Sequence, residues 1–143
     1  MREVMEELIQ AERQCVLATA GEEGPHASLM SYVPGPDLRS IYLVTAEGTR
    51  KFRNLLAEPR VSLLIDNRGP GRGGGDPTLA LTVSGAVRPV RDPGQEEALT
   101  AAFRAEHPQL RAILEDPTRR FLEVRVLSLL LLRGAVESHY LVL

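Results

Sequence analysis

The sequence predicts a mainly β protein, an antiparallel barrel with helices on its periphery, and three observations predict this class. About seven segments show the two-residue alternation or the β-branched and aromatic content of strands. About three short segments show helical periodicity instead, which favours a decorated barrel over a sheet of βαβ units. No internal repeat is visible. The 143 residues are enough for one core, so we expect a single domain over residues 1–143.

The composition excludes several classes of protein. With 43% apolar and 25% charged residues, the chain is typical of a globular protein and not of a disordered one. A formal net charge of −2 provides no overall positive field for nucleic acid. The longest apolar run, residues 126–132, is far shorter than the roughly 20 residues of a membrane helix. We therefore expect neither a nucleic-acid partner nor a membrane.

The N-terminus and the cysteine content predict the compartment. Residues 1–10 alternate acidic and apolar residues, and they lack the basic flank and apolar centre of a signal peptide. Cys15 is the single cysteine, so an intramolecular disulfide cannot form. We expect a cytoplasmic protein in which Cys15 is an inert thiol of the core.

The first elements are a helix and a hairpin. Apolar residues recur on one face of residues 2–13, which predicts an amphipathic helix. Residues 15–20 and 25–33 have the composition of two strands, and the glycine-bounded residues 21–24 between them predict a tight turn. Residues 41–45 are rich in β-branched and aromatic side chains and predict a third strand.

A second helix lies in the middle of the chain. It covers residues 50–58 and ends there because Pro59 cannot continue it. Strands over residues 60–67 and 78–90 follow, and the glycine-rich residues 68–77 between them predict a surface loop. This loop lacks the G-K-[ST] ending of a phosphate loop.

The last third of the chain is predicted to cross over and return as two strands. Gly85 marks a bend or bulge within the strand over residues 78–90, which precedes the crossover. Helical periodicity covers residues 94–115, with a break at His107-Pro108. Residues 121–132 and 135–143 complete the barrel as strands.

The second helix has positive charges in its first turns, where helices usually have acidic residues. Arg50, Lys51 and Arg53 lie in its opening turns, where the partial positive charge of the helix N-terminus repels them. A bound anion at the helix start would reverse the sign of this interaction, and a phosphate group is the common ligand there. The alternative is a solvated basic face, which the charge pattern alone leaves open.

Hydroxyl groups flank the same helix start. Thr49 can cap the helix or donate to a phosphate oxygen, and Thr45 ends the preceding strand. Lys51 is the only lysine of the chain, and its compact ammonium group suits a phosphate. The residues therefore predict a phosphomonoester site.

Two motifs resemble a known family. T-x-x-x-T-R-K at residues 45–51, followed by EPRVSLLI at residues 58–65, resembles the phosphate-binding region of the pyridoxamine 5′-phosphate oxidase-like flavoproteins. Those proteins are FMN-binding split β-barrels of antiparallel, Greek-key-like topology. The similarity extends to residues 16–19, 25–33 and 81–87, and the C-terminal part resembles an oxidase-related branch that is associated with haem-iron utilisation.

The resemblance implies a cofactor, an assembly and a set of site residues. It implies FMN bound in the cleft between the two subunits of a homodimer. The flavin ring is expected along the strand that contains Ser28 and Leu29, and His26 lies on the same strand. Asn67 and Arg68 match a strand end that recurs in the oxidase-related branch, which implies the rim of the cleft. The residues that correspond to the phosphate ligands are Thr45, Thr49, Arg50 and Lys51.

Three departures argue against pyridoxamine phosphate oxidation. The second strand lacks the arginine and the lysine of the true oxidases, Ala80 replaces a glutamine beside the flavin, and the basic C-terminal motif is missing. We instead expect an FMN-dependent oxidoreductase with a reduced nicotinamide donor and an unknown small-molecule acceptor. The alternative is a non-catalytic binding protein for flavin, deazaflavin or haem.

The sequence identifies neither a catalytic residue nor a metal site. His26, His107 and His139 lie in separate segments without metal-ligand spacing. No side chain stands out as a general acid or base, so we assign the redox chemistry to the cofactor.

Overall fold

The computed structural model describes residues 1–68 and 77–143, and these residues form an antiparallel β half-barrel with four α-helices. The helices are α1 (Arg2–Ala11), α2 (Arg50–Ala57), α3 (Pro93–Glu106) and α4 (Arg111–Glu115). The strands are β1 (Gln14–Gly21), β2 (Gly24–Ser31), β3 (Val33–Pro34), β4 (Ser40–Ala46), β5 (Arg60–Asp66), β6 (Leu79–Pro89), β7 (Arg119–Arg133) and β8 (Glu137–Val142). Most of the predicted loop 68–77 lies outside the described residues. None of the described helices has both the length and the apolarity to span a membrane.

The eight strands form one antiparallel sheet. Its order is β2-β1-β5-β6-β7-β4-β3, and β8 pairs with β7 beside this path. β7 is long enough to pair with two strands along one of its edges. Its first half pairs with β4 and its second half pairs with β8. The predicted mainly β class and split-barrel fold are therefore confirmed.

Alternation along the strands produces the main core. On β1, β5, β6 and β7 every second side chain points inward, and Leu17, Leu63, Leu81 and Leu129 are fully buried there. Helix α1 adds Met5, Leu8 and Ile9 to this core through its single apolar face. The Tyr32 hydroxyl fixes the end of α1 by donating to the Ile9 carbonyl at 2.6 Å.

A second core lies on the outer side of β4 and β7. Leu99 and Phe103 of α3 and Leu114 of α4 pack there against Val44 and Phe121. The predicted break at His107-Pro108 is confirmed, because α3 ends at Glu106 and a single 3-10 turn over Pro108–Leu110 leads into α4. The break lets α4 fold back towards the end of β4.

Two glycine predictions are also confirmed. Gly24 has φ +101° in the β1–β2 turn, a conformation that glycine adopts without steric cost. At Gly85 the pairing of β6 with β7 shifts register, which is the predicted bulge.

The segment after β2 differs from the prediction. The sequence predicts one strand over residues 25–33, whereas β2 ends at Ser31 and Val33–Pro34 forms the separate strand β3 on the edge of β4. The chain changes neighbours here because the buried Tyr32 donates its backbone N–H to Arg13 and its hydroxyl to α1.

Candidate functional site

The candidate site begins where β4 ends and α2 starts. Thr49 is the N-cap of α2, and its hydroxyl accepts a hydrogen bond from the Phe52 backbone N–H at 3.2 Å. The same hydroxyl donates to the Ala46 carbonyl at 3.0 Å. The Thr45 hydroxyl is 3.2 Å from the Thr49 hydroxyl. Two hydroxyl groups therefore lie side by side at the helix start.

The first turn of α2 contains basic residues and no acidic one. The positive partial charge of the helix N-terminus is therefore not compensated from within the helix. At the other end, Glu58 interacts with Arg60 at 2.8 Å. Hydrogen bonds from Arg60 lower the pKa of Glu58 to about 2, so this carboxylate already has a cationic partner.

The three cations of α2 have different partners. Arg50 forms an ion pair with Glu23 of the β1–β2 turn at 3.2 Å. Lys51 donates from its ammonium nitrogen to the Met30 sulfur at 3.2 Å. Arg53 donates to the Gly48 carbonyl at 3.3 Å. The structure thus does not bring Arg50 and Lys51 together.

Arg50 is nevertheless available to an anion. In its pair with Glu23 the two side chains are 54% and 77% exposed. Ion pairs at such exposure contribute little to stability, typically about 0.2–1 kcal/mol. A phosphate dianion near the helix start can therefore compete with Glu23 for the guanidinium group.

Thr45, Thr49 and Lys51 line one groove, which we call the clamp groove. Its volume is about 280 Å³. One wall is the end of β2, with Leu29 and Met30, and the other comes from the segment around α4, with Leu110 and Ile113. Thr45 is only 3% exposed, whereas Thr49 and Lys51 are half-buried. The groove is thus polar at the helix start and apolar farther along.

A larger cavity adjoins the clamp groove. It has a volume of about 550 Å³ and shares Gln14 and Leu29 with the clamp groove. Val16 and Leu64 add apolar surface, and Arg68 lies in the lining next to Asp66, with which it pairs at 3.2 Å. We call it the adjoining cavity.

Asn67 is hydrogen-bonded to Leu79 and lines neither the clamp groove nor the adjoining cavity. Its side-chain oxygen accepts a hydrogen bond from the Leu79 backbone N–H at 2.9 Å, and its own N–H donates to the Leu79 carbonyl. Asn67 thus joins the end of β5 to the start of β6. Of the two predicted rim residues, Arg68 lines the adjoining cavity and Asn67 does not.

His26 and Ser28 lie on the other face of β2 from Leu29. Their side chains alternate with the exposed Pro25, Ala27 and Leu29 along the strand. His26 lines a third cavity of about 330 Å³ beneath the β1–β2 turn, which Arg50 also lines. The Ser28 hydroxyl is buried and has no hydrogen-bond partner among the described residues. The strand therefore presents Leu29, and not these two side chains, to the adjoining cavity.

The other candidate side chains have structural environments. His107 is 1% exposed, and its Nε2 is 2.7 Å from the Tyr32 carbonyl. His139 contacts Glu137 at 3.0 Å on the surface. Burial raises the pKa of the Cys15 thiol to about 12. In residues 1–68 and 77–143, no group of three or more His, Cys, Asp or Glu side chains could hold a metal ion.

Sequence reasoning missed several residues around the start of α2, in the clamp groove and beside it. Leu110 and Ile113 form its far wall, Met30 contacts Lys51, and Glu23 pairs with Arg50. Only the break at His107-Pro108 could have indicated that a helix turns back here.

The fold and its cavities define the chain as a split-barrel protein, and comparison with known proteins gives the family. Residues 1–132 match the family model described as pyridoxamine 5′-phosphate oxidase. The chain therefore belongs to the pyridoxamine 5′-phosphate oxidase-like family. No curated protein matches the chain by sequence.

Three solved structures illustrate the range of relatives. A heme binding protein from Mycobacterium smegmatis has a TM-score of 0.80 and 19% identity, over 96% of this chain and 57% of that chain. General Stress Protein 26 from Bacillus anthracis has a TM-score of 0.75 and 19% identity, over 99% and 98%. A FAD-binding protein from Mesorhizobium loti has a TM-score of 0.72 and 19% identity, over 90% of both chains. At these identities the likeness shows the fold alone.

Proposed function

We propose that this chain binds FMN and acts as an FMN-dependent oxidoreductase, with a reduced nicotinamide nucleotide as donor and a small molecule as acceptor. The observation that carries the proposal is the clamp groove. It combines two adjacent hydroxyl groups and one ammonium group at a helix N-terminus whose first turn has no acid. A phosphate dianion is the ligand that such an arrangement favours.

The residues of the groove suit the phosphate group of FMN. Lys51 supplies a positive charge, and the Thr45 hydroxyl can donate a hydrogen bond to a phosphate oxygen. The Thr49 hydroxyl can do so once its proton leaves the Ala46 carbonyl. The backbone N–H groups of Arg50 and Lys51 precede the first intrahelical acceptor and are free to donate. Hydrogen bonds to charged groups contribute about 1.5–3 kcal/mol each, so two or three of them give useful affinity.

We assign the flavin ring to the path from the clamp groove over Leu29 into the adjoining cavity. Leu29, Val16 and Leu64 offer apolar surface to a flat aromatic ring. Arg68 and Asp66 lie at the polar side of this cavity. Leu29, Val16 and Leu64 would hold the ring and exclude water from it, and FMN bound there would supply the hydride and electron transfer.

Pyridoxamine phosphate is not the proposed substrate. The strand β2 carries neither the arginine nor the lysine that the resemblance associates with that reaction. Ala80, which replaces the glutamine, pairs with Asp66 beside the adjoining cavity and offers no hydrogen-bonding side chain. A different small molecule is therefore the proposed acceptor.

We further propose that two copies of the chain form a homodimer through the outer face of the sheet. Cross-strand pairing places one row of side chains on this face, in the order Leu29, Val16, Leu64, Thr82, Leu130 and Tyr140. The next row contains Ala27, Ala18, Ser62, Ser84, Ser128 and Val142. Neither row contains a charged residue. Leu29, Tyr140 and Val142 are 65%, 65% and 66% exposed. Exposed large apolar side chains on an otherwise uncharged surface are typical of an interface.

The same face supports a flavin site at the subunit interface. Leu29 belongs to the first uncharged row and also lines both the clamp groove and the adjoining cavity. A partner that covers the face would therefore close the open side of these cavities. The proposed compartment is the cytoplasm, because the single Cys15 is buried and offers no disulfide.

The test is the absorbance spectrum of the purified protein, with the released small molecule identified by mass. We expect a flavin spectrum that NADPH bleaches under anaerobic conditions, and a released mass equal to that of FMN. A colourless protein that does not bind added FMN would overturn the proposal. A released mass equal to that of a deazaflavin would support the proposed binding site but identify a different cofactor.

The second candidate is a haem-handling protein without enzymatic activity. The observation that favours it is the similarity to the Mycobacterium smegmatis heme binding protein, of which this chain spans 57%. A Soret band on addition of haem, with no response to FMN, would support this function instead. Flavin binding without reduction by NADPH would indicate a flavin carrier.

A further inference from the structure

The contact between Lys51 and Met30 is an unusual pairing. The Lys51 ammonium group donates to the Met30 sulfur at 3.2 Å, and a thioether is a weak acceptor. Among the described residues Lys51 has no ion pair, and its side chain instead contacts the Met30 sulfur. Lys51 is the only lysine of the sequence. A chemical change at the sulfur would act directly on the charge that lines the clamp groove.

We propose that Met30 is an oxidation site that controls anion binding at the clamp groove. Met30 is 6% exposed overall, but it lines the groove and is thus accessible to a small oxidant. The oxidant is hydrogen peroxide, and the product is methionine sulfoxide. The inference rests on the proposed function, because the bound anion is the phosphate of FMN.

The oxidation step is balanced without a further reactant. A lone pair of the thioether sulfur forms a bond to one peroxide oxygen, and the O–O bond breaks. The proton on the transferred oxygen moves to the departing hydroxide, which leaves as water. Sulfur loses two electrons and becomes the sulfoxide, and the peroxide is reduced.

Oxidation changes what Met30 offers to Lys51. A sulfoxide oxygen is polar and accepts hydrogen bonds more strongly than the thioether does. It would hold the ammonium group on the β2 side of the groove and compete with a phosphate for it. Thr45 and Thr49 would remain, so the affinity for FMN should fall rather than vanish.

Met5 provides an internal control for reactivity. Met5, on the apolar face of α1, is 1% exposed and packs in the same main core as Met30, but it does not line the clamp groove. It has the same chemistry without the access. Met30 should therefore oxidise before Met5 in the folded protein.

The experiment treats the folded protein with hydrogen peroxide, locates the added oxygen by peptide mass, and measures FMN affinity by quenching of flavin fluorescence. We expect Met30 to gain one oxygen before Met5 does, with an FMN dissociation constant about tenfold larger. The dissociation constant of Met30→Leu should be the same before and after treatment. Met30→Gln, which places an amide oxygen near Lys51, should bind FMN more weakly than Met30→Leu without peroxide.

Two results would overturn the inference. One is an unoxidised Met30 under conditions that oxidise Met5, and the other is an oxidised Met30 with unchanged FMN affinity. Because oxidation is read from peptide mass, failure of the untreated protein to bind FMN would count against the proposed function and not against the reactivity of Met30.

Discussion

Thr49 is the residue on which both the helix start and the proposed phosphate site depend. Its hydroxyl caps α2 through the Phe52 N–H and also lies beside the Thr45 hydroxyl in the clamp groove. Loss of an N-cap hydroxyl typically destabilises a protein by about 1 kcal/mol. The residue thus connects local stability with ligand binding.

For Thr49→Ala we expect a decrease of about 1 kcal/mol in the free energy of unfolding, measured by urea denaturation. FMN should bind more weakly as well, because one hydroxyl leaves the groove. Thr49→Ser is the matched control, since it keeps the oxygen and should remain close to the wild type in both measurements. If Thr49→Ser lost as much stability and FMN affinity as Thr49→Ala, the hydroxyl group would not be the cause of either effect.

Cys15 gives a prediction about reactivity and pH. Burial raises the pKa of its thiol from 9.0 to about 12, so the folded protein should contain almost no thiolate at pH 8. We expect Ellman's reagent to react much more slowly with the folded protein at pH 8 than with the protein in urea.

The folded state favours the protonated thiol of Cys15. The contribution of Cys15 to stability is therefore constant below about pH 9 and decreases from there towards pH 12. Equal reaction rates in buffer and in urea would contradict the buried position.

Part of the site could be predicted from sequence because it is local. Thr49 and Lys51 belong to one short helix start, where capping and charge rules apply within a few residues. Leu110, Ile113 and Glu23 come from other segments of the chain, and only the fold brings them to α2. The divergence of Arg50 and Lys51 follows from their adjacent positions, which point about 100° apart around the helix, whereas their partners Glu23 and Met30 come from other segments.

At the level of elements, the bulge at Gly85 determines how β6 passes along β7. Ser84 pairs with Ser128 and Gly85 with Val126, so Leu127 has no partner in β6. A Cβ at position 85 would lie 2.4 Å from the Arg125 carbonyl oxygen. This atom belongs to the backbone of a central strand and cannot rotate away.

Gly85→Ala should therefore lower the free energy of unfolding by about 1–3 kcal/mol. Gly48→Ala is the matched control, because no atom lies within 4 Å of its added Cβ and its φ is not positive. The control should change stability by less than about 1 kcal/mol in either direction. Urea denaturation of the two variants measures the difference, and a neutral Gly85→Ala would contradict the close approach of the strands.

The predicted elements agree with the observed ones wherever a pattern extends over several residues. The alternation of β5 and β6 and the stripe of α1 are such patterns. The strand β3 was missed because its two residues pair with Ile41 and Tyr42 and have no pattern of their own. β7 is also slightly longer than the predicted strand over residues 121–132, because Arg119 and Arg120 pair with the distant strand β4 and Arg133 pairs with Glu137 of β8.

At the level of the whole molecule, two uncharged rows of side chains on the outer face of the sheet are the basis of the proposed dimer. Thr82 lies in the middle of the row that runs from Leu29 to Tyr140. A symmetric dimer doubles every substitution, because the same residue is present in both copies. A charge at this position is therefore a sensitive probe of the interface.

We expect Thr82→Lys to weaken dimerisation by at least about 2 kcal/mol, because two unpaired ammonium groups would be buried. Light scattering after size-exclusion chromatography measures the mass. The variant should elute as a monomer and bind FMN more weakly. Ala105→Lys, on the exposed side of α3, is the control and should leave the dimer intact. A wild-type monomer would refute the assembly.

The most direct test of the central claim is a comparison of FMN with riboflavin, which lacks the phosphate group. If the phosphate binds at the start of α2, FMN should bind the wild type at least about tenfold more tightly than riboflavin does, as expected for one charge-assisted hydrogen bond or more. Lys51→Ala should remove most of this difference, whereas Arg53→Ala, whose side chain contacts the Gly48 carbonyl outside the clamp groove, should keep it. Equal affinity of the wild type for FMN and riboflavin would contradict the claim.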